Sequence, residues 1–247
     1  MRKIVVLNYK GGVGKTVTTL NVGYNLSEQG YRVLIVDADP QGNSSAFFEK
    51  YDVTKKSLTD VLTEKASIQG AIKRTKFKNL DILPSNLSLE RIQEVKKEVL
   101  FYKLELVKDK YDFVLIDCPP NFQMNTVNAL VAADDVIIPV KVDRFCVDGL
   151  SSVVEQVESA KMNYHIPISN IRYFINMYQR TKGINMGVMD ILKKYDYDRF
   201  NTVVRKSAAV DYSTYRRKPL KKCGSTSTTC EDFINLTQEI INMAEEG

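Results

Sequence analysis

Apolar residues in this chain come in two alternating kinds of run, short near-continuous stretches and longer stretches with helical spacing. Ile4–Leu7 is the first short run, aliphatic and β-branched, and it reads as a buried strand. It leads into the glycine-containing turn Lys10–Gly14. Leu20, Val22, Tyr24 and Leu26 then mark a helix that opens near Lys15 and closes near Gly30. Val33–Val36 is the next buried strand, running out into Asp37-Ala-Asp-Pro40. Strand, crossover helix and strand in that order make a parallel βαβ unit.

The alternation continues downstream. Leu80–Leu83, Asp112–Ile116, Val136–Val140 and Ile171–Ile175 read as strands. Ser88–Lys110, Asn121–Ala132, Gly149–Met162 and Glu231–Ala244 read as helices, the last with Phe233, Ile234, Leu236, Ile240 and Ile241 as its apolar stripe. Such a pattern predicts an α/β fold, a mostly parallel twisted sheet with helices on both faces. No linker or internal repeat interrupts it, so residues 1–247 are expected to form a single domain. The stretch 177–230 carries the least regular pattern.

Composition narrows the class. Of 247 residues, 44% are hydrophobic and 26% charged, the balance of a soluble globular protein. No apolar run approaches the roughly 18–20 residues that span a bilayer. Met1-Arg2-Lys3 is followed by too few apolar residues for a signal peptide, so a cytoplasmic protein is expected. Cys118, Cys146, Cys223 and Cys230 fit no zinc or disulfide spacing. His165, the single histidine, sits in a polar stretch and reads as a surface residue, which leaves no basis for histidine-centred catalysis.

The net charge of +5 is unevenly placed. Between Lys193 and Lys222 there are ten Lys/Arg and three Asp, a local +7 that leaves −2 for the rest. That concentration points to a polyanion-facing surface.

The segment with the clearest chemistry is Lys10-Gly-Gly-Val-Gly-Lys-Thr16, between a predicted strand and a predicted helix. Glycines there let backbone N–H groups converge on phosphate oxygens, and the helix N-terminus adds partial positive charge. In such a loop Lys15 reaches the β- and γ-phosphates, and the Thr16 hydroxyl ligates Mg2+. The ordinary pattern has glycine where this chain has Tyr9, and the chain carries an additional lysine, Lys10, at the start of the turn. Asp37 and Asp39 follow the second strand, and Asp117 ends the strand through Ile116. Carboxyl ends of parallel strands border the ligand crevice. A phosphate-transferring loop enzyme needs one acid there to hold Mg2+ through water and one to orient the attacking water. Asp39 and Asp117 are the candidates.

These residues resemble a known family. Lys10–Thr16 resembles the deviant Walker A motif of ParA/MinD-class P-loop ATPases. Asp37-Ala-Asp-Pro-Gln-Gly-Asn43 and Leu115-Ile-Asp-Cys-Pro-Pro120 resemble the segments after the second strand and at Walker B in ParA/Soj partition proteins. Asn128–Asp134, Ile138-Pro-Val140 and Asp148-Gly-Leu150 follow in the expected order. The resemblance covers about residues 1–180. It implies ATP and Mg2+ as cofactors and an ATP-bound sandwich homodimer. Nucleotide contacts would come from Lys10, Gly11, Gly12, Val13, Gly14, Lys15, Thr16 and Val17, with Asn176 at the adenine. Lys10 would cross to the partner's phosphates while Lys15 serves its own. Asp39 would position the water and is also a metal candidate. Asp117 would hold Mg2+ through water, and Thr16 directly. The chain departs from the family at Val17, where a second threonine is common, and at Asp143, where glutamate is common. It also has no proline within Val204–Tyr215.

The resemblance implies a DNA-partition ATPase whose dimer binds nonspecific DNA, associates with the nucleoid and is stimulated by a ParB-like, centromere-binding partner. Candidate DNA contacts are Lys193, Lys194, Arg199, Arg205, Lys206, Arg216, Arg217, Lys218, Lys221 and Lys222. The alternative is a MinD-like membrane-positioning ATPase, which needs a terminal amphipathic helix with a basic face. Here that helix carries Glu231, Asp232, Glu239, Glu245 and Glu246 and no Lys or Arg, so no membrane partner is expected. An iron–sulfur reductase would need two bridging cysteines, for which Cys118 and Cys146 are the pair on offer. With the first strand at the very start of the chain, no N-terminal helix-turn-helix extension is expected.

Overall fold

In the computed structural model, residues 1–92, 95–143, 146–179, 197–224 and 227–246 are described. The chain runs β1 (Arg2–Val6), α1 (Lys15–Glu28), β2 (Val33–Asp37), α2 (Asn43–Phe47), α3 (Leu58–Leu62) and α4 (Ile68–Ala71). Next come β3 (Lys73–Arg74), β4 (Leu80–Leu83), α5 (Val99–Glu105), β5 (Phe113–Asp117), α6 (Met124–Ala132) and β6 (Asp135–Lys141). The remainder is α7 (Cys146–Tyr164), β7 (Asn170–Tyr178), β8 (Arg199–Arg205), α8 (Ala208–Tyr215) and α9 (Thr228–Glu246).

One sheet collects all eight strands in the order β3-β4-β2-β5-β1-β6-β7-β8. Every pairing is parallel except that of β3 with β4. Because side chains alternate along a strand, each strand feeds two cores. Ile4, Ile35, Leu115 and Ile137 point to one side, where α1 and α9 contribute Leu26, Phe233, Leu236 and Ile240. Val5, Val36, Val114 and Val136 point to the other, against Leu104 of α5, Leu130 of α6 and Val157 of α7. Helix α1 lies close on the sheet: a Cβ at Gly23 would stand 3.0 Å from Ile35 Cδ1. The apolar stripe of α9 is therefore core. Among the described residues, no helix is long and apolar enough to cross a membrane.

Two segments differ from the sequence expectation. Ser88–Lys110 is not one helix: a 3-10 turn at Leu87–Arg91 is followed by extended backbone at Ile92, and α5 begins only at Val99. The reason is tertiary, because the Asn128 side chain on α6 accepts from the Leu100 N–H at 3.1 Å and caps α5 from outside. Conversely, part of the irregular stretch 177–230 is ordered as β8 and α8. β8 is the sheet edge, and carboxylates of α9 take its N–H groups. Glu239 accepts from Asn201 and Thr202 at 2.6 and 2.7 Å, and Asp232 accepts from Arg205 at 2.9 Å. An edge closed this way offers little to a second strand.

Candidate nucleotide site

The turn after β1 is built by backbone conformation and two asparagines. Gly12 and Gly14 have φ of +70° and +94°, a region that side chains disfavour. Gly14 is the N-cap of α1 and supplies no side-chain cap, so the first N–H groups of the helix face the loop's concavity. Asn8 ties the loop's start to the neighbouring strand: its amide donates to the Pro139 carbonyl at 2.8 Å, and its oxygen accepts from the Lys10 N–H at 2.9 Å. From the other side the Asn176 amide, at the end of β7, donates to the Val13 carbonyl at 2.6 Å. A Cβ on Gly14 would lie 2.3 Å from that same amide nitrogen. Asn8 was not singled out in the sequence; a polar residue directly after an apolar strand was its only signal.

The two lysines of the loop have different partners. Lys15 Nζ is buried and donates to the Asn8 and Lys10 carbonyls at 2.8 and 3.3 Å. Burial lowers its pKa, while the fields of Asp117 and Asp39 work in the opposite direction. The Lys10 side chain is about one-third exposed and pairs with Asp143, beyond the end of β6.

Three carboxylates stand at the strand ends opposite the loop. Asp37 and Asp117 are in register on adjacent strands and both fully buried. Burial, reinforced by the neighbouring Asp117, pushes Asp37 up to about 8. Asp37 Oδ2 accepts from the Ser45 N–H and hydroxyl at 2.8 and 2.7 Å, and its Oδ1 accepts from the Asp39 N–H at 3.2 Å. It thus fixes both the backbone of Asp39 and the start of α2. Burial likewise raises Asp117 to about 6, with the Ser44 and Thr16 hydroxyls pulling it back. Ser44 donates to Asp117 Oδ2 at 2.8 Å, while Oδ1 is buried with no hydrogen-bond partner. Asp39 is nearly buried, with Oδ1 accepting from the Gln41 N–H at 2.9 Å.

Gly11, Gly12, Lys15, Thr16, Asp39 and Pro120 line one recess. The chemistry fits a phosphate–Mg2+ group: an N–H-lined cradle, an ammonium, a threonine hydroxyl and a buried carboxylate oxygen lacking a partner. Beside it, Val17, Asn176, Met177, Val204, Ser207 and Val210 line part of a smaller pocket. The Asn176 amide itself is committed to backbone on both sides, since its oxygen accepts from the Met177 N–H at 2.9 Å.

The basic window divides. Lys193 and Lys194 lie outside the described residues. Arg205 is exposed and also braces the fold: its guanidinium holds Asp232 at 2.6 and 2.9 Å and the Thr228 carbonyl at 3.2 Å. Arg217 lies 3.8 Å from Glu49 and Lys221 3.9 Å from Glu28, both on the surface. Arg199, Lys206, Arg216, Lys218 and Lys222 are exposed. Cys118 is buried in the core, and burial holds its thiol pKa far above the usual range; the Cys146 side chain lies outside the described residues.

A strand–glycine loop–helix unit in a parallel sheet, with lysine, threonine and a strand-end aspartate converging on it, defines a P-loop nucleoside-triphosphate-binding protein. Comparison with known proteins narrows this. A family described as AAA domain matches residues 1–170. The chain is 33% identical over 246 residues to the sporulation initiation inhibitor protein Soj of Bacillus subtilis, covering 96% of this chain and 97% of that protein. It is 30% identical to the chromosome partitioning protein ParA of Caulobacter vibrioides, covering 98% and 94%. Among solved structures, the septum site-determining protein MinD of Pyrococcus horikoshii, complexed with Mg-ADP, superposes with a TM-score of 0.81 at 27% identity, covering 98% and 97%. The chain belongs to the ParA/Soj-type family of P-loop ATPases.

Proposed function

We propose that this protein is a DNA-partition ATPase that uses ATP and Mg2+, cycling between a monomer and an ATP-bound homodimer that holds nonspecific DNA. The observation that carries the reading is the convergence of Lys15, Thr16 and Asp39 on one recess, with Asp117 buried beside Thr16 and Lys15 and Lys10 at the start of the loop.

The N–H groups of the loop and of the first turn of α1 bind the phosphates, and Lys15 lends its charge to the β- and γ-oxygens. The Thr16 hydroxyl would hold Mg2+ directly and Asp117 would hold it through water, and the ion would supply charge neutralisation at the phosphates. Asp39 has one oxygen fixed by the Gln41 N–H, and its second oxygen orients the attacking water. Asp37 keeps Asp39 and α2 in place. The adenine occupies the neighbouring pocket between Val17, Met177 and Val210, with Asn176 acting as a brace for the loop beneath it. For Lys10 to reach a partner's phosphates it must leave Asp143, so dimerisation exchanges an intrachain pair for one across the interface.

Arg199, Lys206, Arg216, Arg217, Lys218, Lys221 and Lys222 supply DNA-backbone contacts, and a ParB-like protein stimulates hydrolysis. On this reading the protein is cytoplasmic and nucleoid-associated. The test combines ATP turnover with and without Mg2+ and fluorescence anisotropy on two unrelated duplexes with ATP or ADP. ATP-dependent, sequence-indifferent binding is expected. Equal affinity with ADP, or a strong preference for one duplex, overturns the model.

A further inference from the structure

A second cationic surface lies at the end of the sheet away from the nucleotide site, and α1 links it to the basic window: Phe77 packs on Tyr24, and Lys221 lies 3.9 Å from Glu28 on the same helix. Arg32, Arg74, Lys76, Lys78, Lys110 and Tyr111 surround an open pocket at the β3–β4 hairpin, together with Thr75, Asn79 and Asp81. It sits where β2 and β5 begin, whereas the P-loop carboxylates sit where those strands end. Five residues at about 3.3 Å each separate the two ends by about 16 Å. In the sheet order, β3 and β4 are also at the opposite edge from β8.

The charge here is largely uncompensated. Arg32 is committed to Asp112 at 2.7 and 3.1 Å and to the Asp109 carbonyl at 2.7 Å. Asp81 is the single carboxylate in the lining, and it accepts from the Tyr111 hydroxyl at 2.9 Å. Arg74, Lys76, Lys78 and Lys110 are exposed and have no ion pair among the described residues. Charging an edge strand against aggregation would account for Arg74. It does not account for Lys76, Lys78 and Lys110, which stand off the strand.

The platform carrying these charges is built. The Thr75 hydroxyl donates to the Leu80 carbonyl at 2.6 Å and accepts from the Phe77 N–H at 3.1 Å, which closes the hairpin. Between the two lysines, the Phe77 ring packs edge-on to Tyr24 at 5.2 Å. The hairpin's aromatic residue is thus anchored against the core while also lining the pocket, and Lys76 Nζ lies 5.7 Å from its ring centroid. The hairpin presents exposed cations on a held turn, a surface of the charge that a phosphodiester backbone requires.

We propose that the β3–β4 pocket is a DNA phosphodiester-backbone contact formed by Arg74, Lys76, Lys78 and Lys110. It rests on the DNA-binding reading above and adds a contact independent of the nucleotide site. The DNA contact of one protomer then extends from the basic window past the end of α1 to the β3–β4 hairpin.

The test is the triple variant Arg74→Gln, Lys76→Gln, Lys78→Gln in the full chain, measured by anisotropy on a short duplex across a salt series with ATP present. ATP turnover and Tm are expected to match the parent. DNA affinity should fall about tenfold or more, and the slope of log K against log salt should become shallower by about 2 to 3, since each B-DNA phosphate contact contributes about 0.9. The conservative set Arg74→Lys, Lys76→Arg, Lys78→Arg should restore both. Parent-like affinity and slope in the glutamine variant overturn this inference and leave the DNA reading standing. A parent protein that binds no duplex overturns that reading and this one together. Unchanged DNA binding with lost binding to phosphatidylglycerol vesicles would also overturn it, reassigning the pocket to a lipid surface.

Discussion

The Asn176 side-chain amide, at the end of β7, donates to the Val13 carbonyl in the middle of the P-loop at 2.6 Å, joining residues 163 positions apart. The loop's shape is therefore held by the far half of the sheet as well as by its own glycines. Asn176→Ala would leave a buried carbonyl without its donor, a loss of about 1–3 kcal/mol. The expected outcome is nucleotide affinity reduced about fivefold to a hundredfold, at 1.4 kcal/mol per tenfold, with a lower Tm. Titration calorimetry and thermal melts check it, and parent-like affinity would remove Asn176 from the bracing role.

Asp39→Ala should bind ATP and dimerise yet lose about a hundredfold or more in turnover, because a water-orienting carboxylate acts on the chemical step. Single-turnover hydrolysis measures this directly. An unchanged rate would pass the role to another residue.

On the proposed dimer reading Lys10→Ala removes the charge directed at the partner's phosphates, so ATP-dependent dimerisation should disappear while nucleotide binding survives. Size-exclusion chromatography with a slowly hydrolysed ATP analogue reports it. Asp143→Asn, which breaks the intrachain pair from the other side, should shift the same equilibrium toward dimer. Dimerisation by Lys10→Ala equal to the parent refutes the crossing role.

On the proposed DNA-binding reading, Arg205 and its neighbours are expected to divide between folding and DNA binding. Arg205→Ala leaves Asp232 without its guanidinium at the β8 edge and should lower Tm by several degrees, with little change in the salt slope of DNA binding. Replacing Arg216, Arg217 and Lys218 together with Ala should do the reverse, weakening DNA binding and flattening the salt slope while sparing ATP-dependent dimerisation. Melting curves and anisotropy on the two variants decide between these assignments.

Much of the fold, and the local motifs of the candidate nucleotide site, are legible in the sequence. Strands β1, β2, β4, β5, β6 and β7 are apolar runs that must be buried on both faces, so their hydrophobicity alone marks them. The loop from Lys10 to Thr16 and the acids after β2 and β5 are local in sequence. A glycine turn between strand and helix, and a carboxylate at a strand end, carry their chemistry wherever such a sheet forms.

The partners of each group were decided only by the tertiary structure, since partnership depends on distance across the fold. Helix α5 starts at Val99 because Asn128 caps it from α6, which no periodicity in Ser88–Lys110 records. Strand β8 alternates exposed and buried residues too weakly to stand out, and it forms because β7 and two carboxylates of α9 satisfy its backbone. Arg205 looked like any other cation in a basic run until Asp232 was found beside it. Asp37, two residues before the expected catalytic acid, became the anchor for Asp39 and α2 only when the register of β2 and β5 set it against Asp117 in a buried place. A residue's type and its near neighbours are written in the chain; whether its charge is spent or available is settled by what packing brings within about 3 Å of it.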